Sequence, residues 1–225
     1  MSERTLRFEA SRSSGEVSAV LRRPDDARWL LLLAHGAGAG MRHPFLERTA
    51  AELAERSVAT LRYQFPYMEA GRRRPDFHPK LLATVRSAVA VARRVEPDLP
   101  LLAGGKSMGG RMTSLAASAE PLPGVAGLVF LGFPLHPAGK PGVERAEHLA
   151  GVGVPMLFVQ GTRDALADLD LLRPVCADLG ELARLHVVDG GDHSFKVLKR
   201  SGRTDDEVMI ELAEAVRGFC EEVAG

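Results

Sequence analysis

Four short runs of almost exclusively apolar residues recur along the chain and constrain its fold more than any other feature. They span residues 29–34, 99–103, 125–131 and 154–159. Such a run is typical of a β-strand that is covered on both faces, as the strands of a parallel sheet are. We therefore predict four central parallel strands, with residues 58–61 and 182–188 as further candidates for the same sheet.

Amphipathic helical patterns separate these runs. The clearest has Leu81, Val85, Ala88, Ala92 and Val95 on one face, and similar patterns lie within residues 45–53, 169–179 and 208–219. Alternating strands and helices predict a mostly parallel sheet with helices on both faces.

The first residues follow a different pattern, because Val17, Ala19 and Leu21 alternate with polar side chains. A period of two predicts an antiparallel edge strand, and we expect the N-terminus to form a hairpin.

Length and charge limit the functions that suit this chain. Its 225 residues fit one domain, 1–225, and 29 Lys and Arg balance 29 Asp and Glu. We therefore expect a small-molecule substrate rather than nucleic acid or a membrane. The first residues lack the apolar core of a secretory signal, so we expect a cytoplasmic protein. Nothing in the sequence indicates a metal, an organic cofactor or an oligomeric state.

Ser107 lies where a predicted strand meets a predicted helix, within the pattern G-x-S-x-G. A sharp strand-to-helix turn exposes the hydroxyl and brings backbone segments close together, which explains Gly105 and Gly109 on either side. Chance alone supplies a five-residue match often, but this context favours a nucleophile. The sequence thus predicts the nucleophile of an α/β hydrolase.

A phosphate-binding loop is the alternative, because residues 105–107 also read Gly-Lys-Ser. That motif requires a glycine five positions before Gly105, where the chain has Pro100. The nucleotide-binding interpretation therefore fails.

Two backbone N–H groups are candidates for an oxyanion hole. Met108 directly follows the serine, and the first apolar run leads into the glycine-rich residues 35–40. We assign Ala37 as the second donor, with Gly38 as the close alternative, and expect His35 to shape this loop.

The base and the acid should follow Ser107 in the order acid, then histidine. Asp164 comes directly after the fourth apolar run, and His193 follows residues 182–188. Rival acids are Asp168 and Asp170, which suit a helix start, and Asp192, which is adjacent to the histidine. The triad predicted is Ser107, Asp164 and His193.

Five motifs in order resemble a known family. They are HGAG at 35–38, RYQFPY at 62–67, GGKSMGGR at 104–111, QGTRD at 160–164 and DHSF at 192–195. The chain resembles small α/β hydrolases of the dienelactone-hydrolase-like group, especially the branch with testis-expressed protein thirty and a human chromatin-complex subunit. This resemblance implies the same triad. Dienelactone hydrolases proper use a cysteine nucleophile, which makes dienelactone a doubtful substrate here.

The predicted activity is cleavage of a small ester, thioester or related acyl bond by a serine hydrolase. The alternative is a non-catalytic binding or assembly module with a vestigial site, because some members of the branch are parts of assemblies. Transfer to another acceptor and lactone hydrolysis are narrower options.

Residues 62–79 and 132–153 are predicted to be irregular and to border the site, with room for little or no cap domain. Candidate pocket walls come from these stretches, with packing beneath a loop as the equal alternative for each: Phe65, Tyr67, Met68, Phe133 and His136. Lys106, beside the nucleophile, is expected to be solvated, and the alternative is that it favours anionic substrates. The run Arg72, Arg73 and Arg74 is expected to be a solvated loop without an assigned role.

Overall fold

A computed structural model describes residues 1–224 and contains one eight-stranded sheet. The strands are β1 Ser2–Ser11, β2 Gly15–Arg23, β3 Trp29–Ala34, β4 Val58–Tyr63, β5 Leu101–Lys106, β6 Val125–Leu131, β7 Met156–Gly161 and β8 Ala183–Val188. Their order in the sheet is β1-β2-β4-β3-β5-β6-β7-β8. The first two strands are antiparallel to their neighbours and the others are parallel, so the predicted N-terminal hairpin and parallel sheet are confirmed.

Within residues 1–224, five α-helices lie between strands and a sixth follows β8. They are α1 Pro44–Ala54, α2 Pro66–Glu69, α3 His78–Val95, α4 Met108–Ala119, α5 Leu169–Asp178 and α6 Asp205–Ala224. Three 3₁₀ helices span Glu144–Gly151, Gly180–Leu182 and Lys199–Ser201. The helix α2 and the first 3₁₀ helix lie in stretches that the sequence predicted to be irregular. Both are short, and their apolar periodicity is correspondingly weak.

Two strands begin two residues later than predicted, and a proline explains each shift. Pro100 precedes β5 and Pro155 precedes β7. Proline has no N–H to donate to a neighbouring strand, so regular pairing starts after it. Both proline carbonyls still accept hydrogen bonds from neighbouring strands, at 2.9 Å for Pro100 and 2.8 Å for Pro155.

The core forms two layers, one on each face of the sheet. In β3, Leu30 and Leu32 pack on the face that α3, α4 and α5 cover, whereas Leu31 and Leu33 pack on the face of α1 and α6. Alternate residues of a strand point to opposite faces, so an all-apolar strand supplies both layers. This is the predicted α/β-hydrolase fold.

The order β4-β3-β5 creates a crevice at the carboxyl edge of the sheet. The chain proceeds from β3 to β4 on one side and reaches β5 on the other. Ligands bind outside such a switch point in open α/β sheets. Within residues 1–224 no inserted cap domain covers this edge, in agreement with the sequence.

None of the helices in residues 1–224 combines the length and apolar character that crossing a bilayer requires.

Candidate active site

Ser107 occupies the turn between β5 and α4 in an unusual backbone conformation. Its φ is 50° and its ψ is −118°, which L-residues rarely adopt. The turn passes close to the end of β3: a Cβ on Gly109 would lie 2.5 Å from the carbonyl oxygen of Ala34, and one on Gly105 would overlap the same atom. Only glycine fits at both positions, so the sharp turn that exposes Ser107 depends on them.

This strain leads to a prediction about stability. A residue with a side chain in this region of φ and ψ lowers the free energy of unfolding by about 1–3 kcal/mol. Glycine lowers it by about 0.5–1 kcal/mol, because glycine makes the unfolded chain more flexible. We expect Ser107→Gly to be more stable than Ser107→Ala by about 1 kcal/mol, which is roughly 2–4 °C in Tm. Calorimetry of both variants measures this difference. An alanine variant at least as stable as the glycine variant would show that the turn is unstrained.

Ser107, His193 and Asp164 lie within hydrogen-bonding distance in series. The Ser107 hydroxyl lies 2.9 Å from His193 Nε2, and His193 Nδ1 lies 2.7 Å from Asp164 Oδ2. The Asp164 side chain is 1% exposed and that of His193 is 26% exposed. A carboxylate at Nδ1 holds its N–H and leaves Nε2 as the acceptor for the serine proton. The structure thus brings the three predicted residues together.

Two further donors hold the Asp164 carboxylate. The Gln160 side-chain amide donates to Oδ2 at 2.5 Å, and the backbone N–H of Leu166 donates to Oδ1 at 2.8 Å. Gln160 was missed as a site residue by sequence reasoning. Its signal is a polar residue at the end of an otherwise apolar strand, where it is fully buried. Together these bonds fix the direction of the carboxylate.

The rival acids have other tasks in the structure. Asp168 caps α5 by accepting the N–H of Asp170 at 2.9 Å. Asp192 Oδ1 accepts the N–H groups of Ser194 and Lys196 at 2.8 and 2.9 Å. Asp192 therefore shapes the loop that carries His193 and does not orient its ring.

A second serine–histidine pair lies away from the cavity. Ser114 Oγ is 2.7 Å from His148 Nε2 and also donates to the Arg111 carbonyl. Ser114 is completely buried within α4. A nucleophile must be open to substrate, and Ser114 is not. The pair therefore has a structural role and ties α4 to the 3₁₀ helix at 144–151.

The two predicted oxyanion donors border the serine. Ala37 lines the cavity that contains Ser107, and Met108 is the first residue of α4, where an N–H has no partner within the helix. Among the described residues, neither N–H donates to another protein group. The N–H of Gly38 instead donates to the Tyr67 hydroxyl at 3.1 Å, which favours Ala37 over Gly38.

His35 anchors the loop that carries Ala37. It is fully buried, its Nδ1–H donates to the Gly36 carbonyl at 2.7 Å, and its Nε2 accepts the Phe65 N–H at 3.1 Å. Burial lowers the pKa of His35 to about 4. The ring is therefore neutral near pH 7, as its one donor and one acceptor bond require.

This burial predicts acid sensitivity. Between about pH 6.5 and pH 4 the unfolded chain binds a proton at His35 that the folded chain does not, so stability falls as the pH decreases. The loss reaches at most about 3 kcal/mol for this group. His148 adds in the same direction, because burial also lowers its pKa to about 4.

Urea unfolding of the wild type and His35→Gln at pH 7 and pH 5 measures this effect. We expect the glutamine variant to lose less stability between the two pH values than the wild type does. Equal losses would contradict a buried neutral His35.

A cavity of about 340 Å³ opens above Ser107 and His193. Ala37 and Ala39 form one side, and Phe45, Leu46 and Leu166 supply apolar walls. The space admits a modest substrate.

None of the five residues predicted as pocket walls lines this cavity, so that prediction is corrected. Phe65, Tyr67 and Phe133 are buried in the core, and Met68 packs partly against it. The hydroxyl of Tyr67 holds Gly38, and His136 Nε2 accepts the Asp168 N–H at 3.0 Å. These side chains support the loops from beneath. Burial of an apolar ring stabilises the fold more than leaving the ring exposed in an open cleft does.

The sequence predicts a solvated Lys106, but the structure places its side chain in a partly buried position. Its ammonium lies 3.3 Å from His193 Nε2 and 5.5 and 5.9 Å from the ring centres of Phe195 and Phe45. Burial lowers its pKa to about 8, although the charges of Asp164 and Asp192 oppose this shift. The residues Arg72, Arg73 and Arg74, in contrast, are exposed as expected.

Comparison with solved structures agrees with this fold. A dienelactone hydrolase from Anabaena variabilis is similar, with 19% identity, a TM-score of 0.73 and 99% of both chains covered. A lidless α/β serine hydrolase from Xanthomonas campestris has 19% identity and a TM-score of 0.73, with 97% of this chain and 95% of the other covered. The esterase domain of a Rhodothermus marinus protein has 16% identity and a TM-score of 0.75, with both chains fully covered at 100%.

The comparison with sequence families is more specific. A family model described as an alpha/beta hydrolase domain matches residues 27–221, which include Ser107, Asp164 and His193. The family model thus supports membership of the α/β hydrolases, and a dienelactone hydrolase is among the solved structures that share the fold. On this match, the chain belongs to the α/β-hydrolase family.

Proposed function

We propose that the protein is a serine hydrolase that cleaves a small ester, thioester or related acyl bond through Ser107, Asp164 and His193. The observation that carries the proposal is the continuous hydrogen-bonded series from the Asp164 carboxylate to the Ser107 hydroxyl. It ends in a cavity that a small substrate can enter.

The proposed reaction has two stages. His193 Nε2 takes the Ser107 proton while Oγ attacks the substrate carbonyl carbon, and the N–H groups of Ala37 and Met108 stabilise the oxyanion. The bond to the leaving group then breaks as His193 returns the proton to the leaving atom. Water, activated by His193, cleaves the resulting acyl-enzyme and regenerates Ser107.

Hydrolysis of short p-nitrophenyl esters and matched thioesters tests this proposal. We expect turnover by the wild type and a large loss in His193→Ala. His186→Ala is the matched control: this half-exposed histidine contacts Glu211, away from the cavity, and its loss should leave turnover nearly unchanged. The ratio of ester to thioester rates decides between carboxylesterase-like and thioesterase-like activity.

The alternative is a binding or assembly module, which the resemblance to the testis-expressed protein branch motivates. Absence of turnover together with absence of labelling at Ser107 favours this module over the hydrolase. Membership of that branch, cytoplasmic location and a single domain at 1–225 remain predictions from the sequence.

A further inference from the structure

The cavity contains a cation whose role the proposed hydrolysis does not explain. Lys106 is the residue before the proposed nucleophile, and its Nζ lies 3.3 Å from His193 Nε2. Among the described residues that line the cavity, Lys106 alone has an ammonium or guanidinium group, and none has a carboxylate. The cavity is therefore charged on one side by a single group.

This ammonium has no anionic partner within the described protein. No carboxylate in residues 1–224 lies within 4.0 Å of its Nζ. The two carboxylates whose charges act on it are Asp164 and Asp192, and both already accept other hydrogen bonds. Its other neighbours are the rings of Phe45 and Phe195, which stack on each other at 5.8 Å. A partly buried cation without a counter-ion attracts an anion into the cavity.

The position of the ammonium also indicates which part of a substrate it meets. His193 Nε2 is the atom that would carry the proton from Ser107 to the leaving atom. A cation 3.3 Å from this nitrogen lies beside the path of that proton, and hence beside the leaving group.

We propose that Lys106 forms an anion subsite that selects substrates whose leaving half carries a negative group close to the scissile bond. This inference rests on the proposed hydrolase function and deepens it by naming the substrate class. Throughout acylation Lys106 stays protonated: the Ser107 Oγ–C bond forms, the C–O bond to the leaving half breaks, and the proton on His193 passes to the leaving oxygen. The lysine pairs with the leaving half and exchanges no proton.

The ionisation of Lys106 supports this reading and predicts a pH dependence. Burial lowers its pKa to about 8 in the free protein, because the charged form is less well solvated there. The groups that face it are His193, Asp164 and Asp192, with His43 elsewhere in the cavity wall. An anion beside the ammonium stabilises the protonated form, so the preference for anionic substrates should decrease as the pH rises through about 8.

A matched pair of substrates tests the subsite. The anionic member is 3-acetoxybenzoate, and its methyl ester at the carboxylate is the neutral member. We compare their kcat/KM values after dividing each by its rate of alkaline hydrolysis. A charge-assisted hydrogen bond corresponds to about a 10- to 100-fold preference of the wild type for the anionic ester near pH 7.

Lys106→Met should abolish this preference, and Lys106→Arg should retain part of it because the charge remains. Lys196→Met is the matched control, because Lys196 lines a second groove, which shares Phe45 and Ser194 with the cavity, and does not border Ser107. We expect it to keep the wild-type ratio.

A second pair of substrates tests whether the subsite binds the leaving half or the acyl half. The pair consists of mono-p-nitrophenyl succinate, whose charge lies in the acyl half, and its neutral methyl ester. A smaller preference for this pair supports a leaving-group subsite, and a larger one overturns it.

An equal ratio in the wild type and Lys106→Met would overturn the inference. If Lys106→Met fails to fold, the pH dependence of the wild-type ratio decides instead, and a ratio constant from pH 6.5 to 9.5 counts against the subsite. Failure of the proposed function has a different signature, namely no turnover of either ester by the wild type. Turnover of both esters without preference overturns only the subsite.

Discussion

Ser107→Ala is expected to lower kcat for a short p-nitrophenyl ester by about 10⁴- to 10⁶-fold, the range in which loss of a triad nucleophile falls. The reason is geometric, because the Ser107 hydroxyl is the atom that His193 Nε2 contacts at 2.9 Å within the cavity. Steady-state kinetics of purified wild type and variant measure the effect. Circular dichroism checks that the variant is folded.

Ser114→Ala is the matched control for this variant. Ser114 also contacts a histidine, but it is buried within α4 and does not line the cavity. We expect it to reduce stability by about 1–2 kcal/mol, as loss of a buried hydrogen bond does, with activity almost unchanged. If Ser114→Ala abolishes turnover and Ser107→Ala does not, the assignment of the nucleophile is wrong.

Asp164→Asn is expected to lower kcat by about 10³- to 10⁴-fold with little change in KM. Asparagine can place only one oxygen, whereas Asp164 accepts from His193 and Gln160 on Oδ2 and from Leu166 on Oδ1. In either amide orientation an NH₂ group faces a donor. When that NH₂ faces His193, it favours the tautomer in which Nε2 carries a proton and cannot take one from Ser107.

Asp168→Asn provides the control for Asp164→Asn. Asp168 caps α5, and asparagine is an equally good cap, so neither stability nor activity should change appreciably. The pH–rate profile adds a further check, because a wrong tautomer lowers the maximum rate at every pH. Activity in Asp164→Asn within about tenfold of the wild type would mean that Asp164 does not orient His193.

The sequence was sufficient to predict the fold class and to predict that Ser107, Asp164 and His193 lie at one edge of the sheet. Residues 29–34 and 125–131 became β3 and β6 without a change of bounds, because an apolar run between turns is a local signal. Ser107, Asp164 and His193 each follow a strand of one parallel sheet, and such strands end at a common edge. The positions of these residues after strands of the same sheet were therefore enough to predict that they lie close together.

The pocket walls depend on tertiary packing, and there the sequence was insufficient. Phe65 and Tyr67 follow β4 and turn under the loop of His35, with ring centres 5.0 and 5.9 Å from the histidine ring. Phe45, on α1, reaches the cavity instead. A composition rich in aromatic residues near a site does not reveal which rings support the loops and which face the substrate.

Lys106 and Gln160 illustrate a similar limit at the ends of strands. Gln160 directly follows an apolar run, and two glycines separate Lys106 from another. Polar residues in such positions are usually solvated or paired within a turn. Their direction depends on the neighbouring loops, which bring Phe195 and His193 over Lys106 and Asp164 over Gln160. Only the assembled edge of the sheet shows these contacts.

The most direct measurement of the central claim is covalent labelling with a fluorophosphonate, followed by intact mass and peptide mapping. We expect the wild type to gain one adduct on Ser107, Ser107→Ala to gain none, and Ser114→Ala to be labelled like the wild type. An unlabelled wild type, or an adduct that persists in Ser107→Ala, would contradict the assignment of Ser107 as an activated nucleophile.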